Sequence, residues 1–284
     1  MAAAATAVVF AYHDVGVRCL GALLEAGVEV PLVVTHRDDP AEGVWFSSVA
    51  ALARRKGLEV LEDPDAENLA KKVKSIQPDF IFSFYYRRML PASVLKSAKR
   101  GAFNMHGSLL PKYRGRAPVN WAVLHGETES GATLHEMVEK TDAGRIVDQE
   151  RVPIGPDDLA VDVFRKVTGA AEVVLRRNIQ SMVKGNLHLK PNDLSKGSYF
   201  GGRGPEDGRI DWSKSAAEIH NLVRAVAPPY PGAFTHRMKI FRTKLEPLKK
   251  PPQGRSGPYL EGGDWFAVCG DGKVLRLLEI ELEQ

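Results

Sequence analysis

Cysteine is nearly missing from this chain: two residues, Cys19 and Cys269, in a total of 284. Two thiols so far apart cannot form a metal-ligand set by themselves, and they indicate no disulfide framework. No metal is expected, and a reducing cytoplasm fits the usage. Long apolar runs are missing too: none approaches the ~20 residues that a membrane span needs. The opening MAAAATAVVFAYHDVG has no basic n-region, so it reads as a first buried strand rather than a signal peptide. The turn after it holds Gly16 but no G-x-G-x-x-G, so no nicotinamide cofactor is expected. Charge of one sign is scarce, with a formal net charge of +4. The basic residues gather in short groups, YYRR, KYRGR, Arg176–Arg177 and Lys249–Lys250, a pattern that suits an anionic small molecule and would also suit RNA.

What is present is an ordinary globular composition, 44% hydrophobic and 26% charged, with length enough for about two domains. The first half alternates strand-like and helix-like runs: TAVVFAY, GVRCLGALLEAG, VEVPLVVTH, SSVAALARRKG, LEVLED, AENLAKKVKSIQ, PDFIFSF, LPASVLKSA, GAFNMHG. Such alternation predicts an α/β fold with an open, mostly parallel sheet and helices on both faces. The segment Ala160–Lys184 has helical periodicity and is expected to cover that sheet. A Gly-, Pro- and Asp-rich linker follows. After it come one helix, SAAEIHNLVRAV, and short strands, a small β-rich second domain beginning near Gly204. The division expected is 1–203 and 204–284. KKPPQGRSGPYLEGGD reads as a long turn.

The stretch GAFNMHGSLLPKYRGRAPVNW carries the chemistry. If AFNMH is a strand, Asn104 and His106 share one side of it and Phe103 and Met105 the other. Ligands of open α/β sheets sit beyond the carboxyl ends of strands, where this pair would lie. The loop that follows holds Lys112, Arg114 and Arg116. Further on, GATLHEMVEKTDAGRIVDQ places Asp142 between a strand-like run and a Gly turn. A carboxylate beside a histidine fixes its tautomer and favours its protonated form, and an amide can hold a developing oxyanion. Together the three residues suit acyl-type transfer without an activated Ser or Cys. Neither Asn104 nor His106 is expected to be a core residue. His13 and Asp14, after the first strand, mark a site edge, and Tyr85 and Tyr86 either line the site or fill a strand end.

FNMHGSLLPKYRGRAP followed by VEKTDAGRIV resembles the folate-dependent formyltransferase family over nearly the whole chain. The resemblance implies a Rossmann-like formyltransferase domain, a C-terminal OB-like domain and 10-formyltetrahydrofolate as the formyl donor. It implies Asn104, His106 and Asp142 as the catalytic set. Donor contacts would come from Arg88, Met89 and Leu90, from Val138, Glu139, Lys140, Thr141 and Asp142, and from Arg116.

The acceptor separates the family's branches. Enzymes acting on methionyl-tRNA carry a basic loop after the second strand. Here that place reads THRDDPAEGVWFSSVA, with Asp38, Asp39 and Glu42, which would repel a polyanionic stem. VVFAYHDVG, IFSFYYRRML and VRAVAPPYPGAF resemble the branch that formylates UDP-4-amino-4-deoxy-L-arabinose, here ending at Gln284 as a free-standing version. That branch implies lipid A modification and resistance to cationic peptides such as polymyxin. The acceptor contacts expected are Arg203 and Arg209, for a diphosphate, and Tyr230 in the proline-stiffened turn. The partners implied are a UDP-sugar and a folate, and a homo-oligomer is compatible with the chain. The competing readings are a methionyl-tRNA formyltransferase and, from another class, a non-catalytic RNA-binding protein, although the barrel region shows few aromatics for base stacking.

Overall fold

All five side chains of Phe80–Phe84 are buried, as a strand covered on both faces requires. This strand, β4, lies within a seven-stranded sheet in the computed structural model, which describes residues 4–39 and 43–282. Glu42 of the acidic loop lies outside the described residues. The other strands of the first half are β1 (Thr6–Ala11), β2 (Glu29–Thr35), β3 (Glu59–Glu62), β5 (Gly101–His106), the two-residue β6 (Arg114–Gly115), β7 (Glu129–Glu136) and β8 (Ile146–Pro153). The sheet order is β3-β2-β1-β4-β5-β7-β8. Its first five members run parallel, and β7 is antiparallel to β5.

The helices are α1 (His13–Glu25), α2 (Val49–Arg55), α3 (Ala66–Ile76), α4 (Ala92–Leu95), α5 (Pro118–Leu124), α6 (Ala160–Lys184) and α7 (Ala216–Val226). Local chemistry sets their ends. The Ser48 hydroxyl caps α2, accepting from the Ala51 amide, and the Asp65 carboxylate caps α3, accepting from Asn68 N–H. Ser215 and Glu218 close a capping box on α7. One sheet face buries Val8, Phe10, Leu32, Val34 and Ile81 under Leu69 and Val73 of α3. Phe80, Phe82 and Phe84 face the other way, beside Phe103 on β5. In α6 the buried residues Val163, Val167, Ala171, Val174 and Met182 make one stripe. Arg18–Glu172 (3.2 Å) and Arg176–Glu25 (2.7 Å) tie this helix to α1. Among the described residues, no helix is long and apolar enough to cross a membrane.

After the two-residue β9 (Tyr199–Phe200), the C-terminal region forms a five-stranded antiparallel sheet. It comprises β10 (Ala233–Thr235), β11 (Met238–Leu245), β12 (Gly257–Glu261), β13 (Asp264–Val268) and β14 (Val274–Leu282), in the order β10-β11-β14-β13-β12. β12 lies inside the stretch that reads as a long turn. Its Pro258 is tolerated because β12 is an edge strand, and its one deeply buried side chain, Tyr259, packs against Phe266. LPASVLKSA yields only the single turn of α4. Ser97 sits where a longer helix would continue, and its Oγ donates to the Ser93 carbonyl inside α4 at 2.9 Å.

The chain forms two compact units, each discontinuous: 1–115, 131–152 and 166–199 in one, and 116–130, 153–165 and 200–284 in the other. This differs from a single cut near residue 203. The 116–130 segment groups with the later residues because α5 packs on α7, where Asn120 donates to the Ala225 carbonyl at 2.8 Å.

Candidate active site

Asn104 and His106 close β5, on the same side of the strand. Pairing with β7 sets Asn104 directly opposite His135 and His106 opposite Thr133. Asn104 Nδ2 lies 3.2 Å from His135 Nε2, and His135 Nδ1 donates to the Glu136 carbonyl at 2.8 Å. His106 is buried, with its side chain only 7% exposed, and so belongs to the packed interior, contrary to the sequence expectation. Its position in the pleat turns it inward, and its Nε2–H donates to the Tyr113 carbonyl at 2.7 Å.

The SLLPKY loop presents that carbonyl. Thr133 Oγ1 donates to the Ser108 carbonyl (2.6 Å) and accepts from the Leu110 amide (3.1 Å), while Gln149 Nε2 donates to the Leu110 carbonyl (2.9 Å). Ser198 Oγ accepts from the Tyr113 amide at 2.9 Å.

Asp142 arrives from the far end of β7. Its Oδ2 lies 3.6 Å from His106 Nδ1 and accepts the Gly115 amide at 2.8 Å, and its Oδ1 lies 3.5 Å from His135 Nε2. Burial alone would raise this carboxyl's pKa. The His106 charge, the His135 ring and the Gly115 N–H outweigh burial and hold it well below the usual carboxylate range. The backbone is held as firmly. Asp142 sits at φ 49, a left-handed conformation that Asp and Asn tolerate best among residues with side chains. Asn192 Nδ2 donates to the carbonyls of Asp142 (3.0 Å) and Gly144 (3.1 Å).

Gly144 is required by space: a Cβ there would lie 2.0 Å from the Glu136 carbonyl oxygen. Gly144→Ala must therefore displace the β7 end or the Asp142 turn. Urea denaturation is expected to show a loss of at least about 2 kcal/mol, within the range for overpacked sites.

The structure thus brings Asn104, His106 and Asp142 together and adds His135, Asn192 and the Gly115 amide. The cue for His135 is its alternation with Thr133 in ATLHEM, which puts both on the face that meets β5.

The two segments expected to hold the donor also meet. Thr141 Oγ1 lies 3.8 Å from Met89 Sδ. Leu90 packs on the core with Met137, while Arg88, Met89, Val138, Glu139 and Lys140 are exposed. Arg88 is held by Asp63 (3.0 Å). Asp63 also takes the His36 Nδ1–H and the Arg37 amide, each at 2.9 Å. Tyr86 stacks on His36 at 4.2 Å, so it is a packing residue at the strand end.

Arg116 falls in the other unit, beside Gly202, and there Arg203 lies over the Trp121 ring at 4.6 Å. Arg209 is neutralised by Glu206 at 2.8 Å and covers Phe234. The Tyr230 phenol shares a hydrogen bond with Asn120, and burial pushes its pKa up to about 12.

His13 begins α1 at φ 65, with its ring stacked on Phe46 at 4.0 Å. Burial lowers its pKa to about 4, against the opposing pull of Asp14. Between the unfolded value of 6.5 and that folded value, the unfolded chain binds the extra proton. Stability should therefore fall as pH drops through this window, by up to about 3 kcal/mol from His13. His13→Asn keeps a residue tolerant of positive φ and should flatten that dependence when unfolding free energies are compared at pH 7 and pH 4.5.

Among the described residues, no group of three or more His, Cys, Asp or Glu side chains could hold a metal ion. An open α/β sheet with an amide, an imidazole and an ionised carboxylate gathered at one strand end has the groups that acyl-type transfer needs. Residues 13–179 match the family model described as "Formyl transferase", and residues 204–284 match "Formyl transferase, C-terminal domain". The chain belongs to the formyl transferase family.

Solved structures share the fold at low identity. An N-formyltransferase from Helicobacter canadensis, in complex with folinic acid and dTDP-3-aminofucose, is 23% identical with a TM-score of 0.75, over 97% of this chain and 99% of that one. WlaRD, a sugar 3N-formyl transferase solved with dTDP and 5-N-formyl-THF, is 21% identical with a TM-score of 0.76, over 96% and 97%. A glycinamide ribonucleotide transformylase from Symbiobacterium toebii is 22% identical with a TM-score of 0.59, over 68% of this chain and 93% of that one.

Proposed function

We propose that this enzyme transfers the formyl group of 10-formyltetrahydrofolate to the amino group of a nucleotide-linked amino sugar, UDP-4-amino-4-deoxy-L-arabinose, in lipid A modification. The reading rests on the meeting of Asn104, His106 and Asp142 at one strand end, with Asp142 held ionised. Two sugar N-formyltransferase structures that span nearly all of this chain support it, one solved with folinic acid and the other with 5-N-formyl-THF.

In this mechanism the neutral amine attacks the formyl carbon. Asn104 and His106 stabilise the tetrahedral oxyanion. The bond from that carbon to the folate nitrogen breaks as His106 carries the amine proton towards the leaving nitrogen. Asp142 supplies the counter-charge while the imidazole is cationic. The folate lies along Arg88–Leu90 and Val138–Asp142, the segments joined by the Met89–Thr141 contact.

The test is incubation with 10-formyltetrahydrofolate and UDP-4-amino-4-deoxy-L-arabinose, with the product read by mass spectrometry and methionyl-tRNA as a parallel acceptor. Formylated sugar is the expected result. Formylated methionyl-tRNA alone would keep the chemistry and overturn the acceptor.

A further inference from the structure

Residues that follow neighbouring strands meet at the carboxyl edge of the large sheet. Tyr12 follows β1, His36 follows β2, Asp63 follows β3, and Arg87 comes shortly after β4. These strands are parallel and adjacent in the order β3-β2-β1-β4, so their ends lie side by side. The His36 side chain is only 8% exposed. Its ring stacks on Tyr86 at 4.2 Å and meets the Tyr12 ring edge-on at 5.3 Å. All of these residues belong to one compact unit.

The Arg87 amide donates to His36 Nε2 at 3.0 Å. A backbone N–H can only give a hydrogen, so Nε2 carries the ring's lone pair. The ring hydrogen is then on Nδ1, and it goes to Asp63 Oδ1 at 2.9 Å. A carboxylate beside an imidazole ordinarily favours the cation. Here burial, with Arg88 and Arg87 nearby, outweighs Asp63 and lowers the His36 pKa, which keeps Nε2 open to the amide. Asp63 is itself fixed. Its amide donates to the Thr35 carbonyl at 3.0 Å, its Oδ2 accepts the Arg37 amide at 2.9 Å, and its Oδ1 lies 3.0 Å from the Arg88 guanidinium. One carboxylate thus holds the Arg88 side chain directly and the Arg87 main chain through His36. Residues 85–90 form neither helix nor strand, so no regular ladder of hydrogen bonds holds this segment.

We propose that His36 is a positioning residue for the formyl donor: it clips the Arg87 amide to Asp63 and so fixes the main chain along which the folate lies. The proposal rests on the donor placement above. Each ring nitrogen is committed to a protein partner, so His36 acts through the segment it holds and not on the reacting atoms. The clip needs one acceptor and one donor on opposite sides of a flat group, which a neutral imidazole supplies. A segment ordered beforehand spares the folate the cost of ordering it. Without the clip, only the fraction of molecules that hold the bound conformation is competent to bind.

The test is calorimetric titration of folinic acid into the wild type, His36→Phe, His36→Gln and Met89→Asp, with Tm verifying folding. Phenylalanine keeps a ring against Tyr86 and removes both hydrogen bonds. Glutamine returns an acceptor and a donor in one amide. His36→Phe is expected to weaken folinic acid by about 10-fold, the worth of one or two lost hydrogen bonds, and His36→Gln to recover most of that loss. Hydrogen exchange of the Arg87 amide in the wild type is a second measurement that needs no variant, and the amide should be protected. Unchanged affinity in His36→Phe, a glutamine variant as weak as the phenylalanine one, or an Arg87 amide that exchanges as freely as in an unfolded chain would overturn the role of His36. Met89→Asp tests the donor placement itself, because Met89 is exposed on the same segment and takes no part in the clip. If Met89→Asp binds folinic acid as the wild type does, the folate lies elsewhere, and the placement falls together with the role of His36. Loss in Met89→Asp without loss in His36→Phe would overturn the positioning role alone and leave the donor where it is placed. A wild type that binds no folinic acid would overturn both.

Discussion

His106→Gln and Asn104→Ala are each expected to lower kcat by about 10²- to 10⁴-fold, the range for losing a proton-transfer group or an oxyanion donor. Glutamine is chosen because His106 is buried and its Nε2–H satisfies the Tyr113 carbonyl. Alanine would leave that carbonyl with the long Ser108 Oγ contact of 3.4 Å, at a cost of about 1–3 kcal/mol, and mix a folding defect with a catalytic one. A glutamine amide can reach for the same acceptor but cannot carry a proton through the reaction. The variants should differ in one further respect. Losing Asn104 empties the place opposite His135 on β7 while leaving the Tyr113 loop alone. Single-turnover rates with saturating acceptor, together with Tm, check both. Full activity in either variant would remove that residue from the mechanism.

Asp142→Asn is expected to reduce kcat by about 10³-fold while the protein stays folded, because it removes the counter-charge to His106 and keeps the shape. Asparagine also tolerates the φ of 49 and can still accept the Gly115 amide. Asp142→Ala should be worse in stability as well, since alanine at positive φ costs about 1–2 kcal/mol. The pair of variants separates charge from backbone. The pH dependence has a fixed sign. The folded carboxyl lies below its unfolded value of 3.8, so its stabilising contribution is fully present above that value and lost as pH falls through the folded one. Asp142→Asn should remove this share of the acid sensitivity. Urea denaturation between pH 5 and pH 3 measures it.

Much of this fold can be read in the sequence, because α/β alternation leaves period and punctuation in the chain. The β5 strand, the extent of α6 and the side shared by Asn104 and His106 all follow from pattern. What pattern does not carry is register and distance. His135 becomes opposite to Asn104 only through antiparallel pairing. Asn192 reaches the Asp142 turn from 50 positions along the chain. The Gly115 amide is backbone and has no letter of its own. β12 is hidden among Gly and Pro because an edge strand with one deeply buried residue shows little alternation. The discontinuous second unit depends on α5 packing against α7, which neither segment's composition announces.

The pairing across β5 and β7 has a further consequence. His135 Nδ1 is committed to the Glu136 carbonyl, which turns Nε2 towards both the Asn104 amide, at 3.2 Å, and the Asp142 carboxylate, at 3.5 Å. A single ring atom is thus shared by two residues of the candidate site, and any displacement of the β7 end reaches both of them at once.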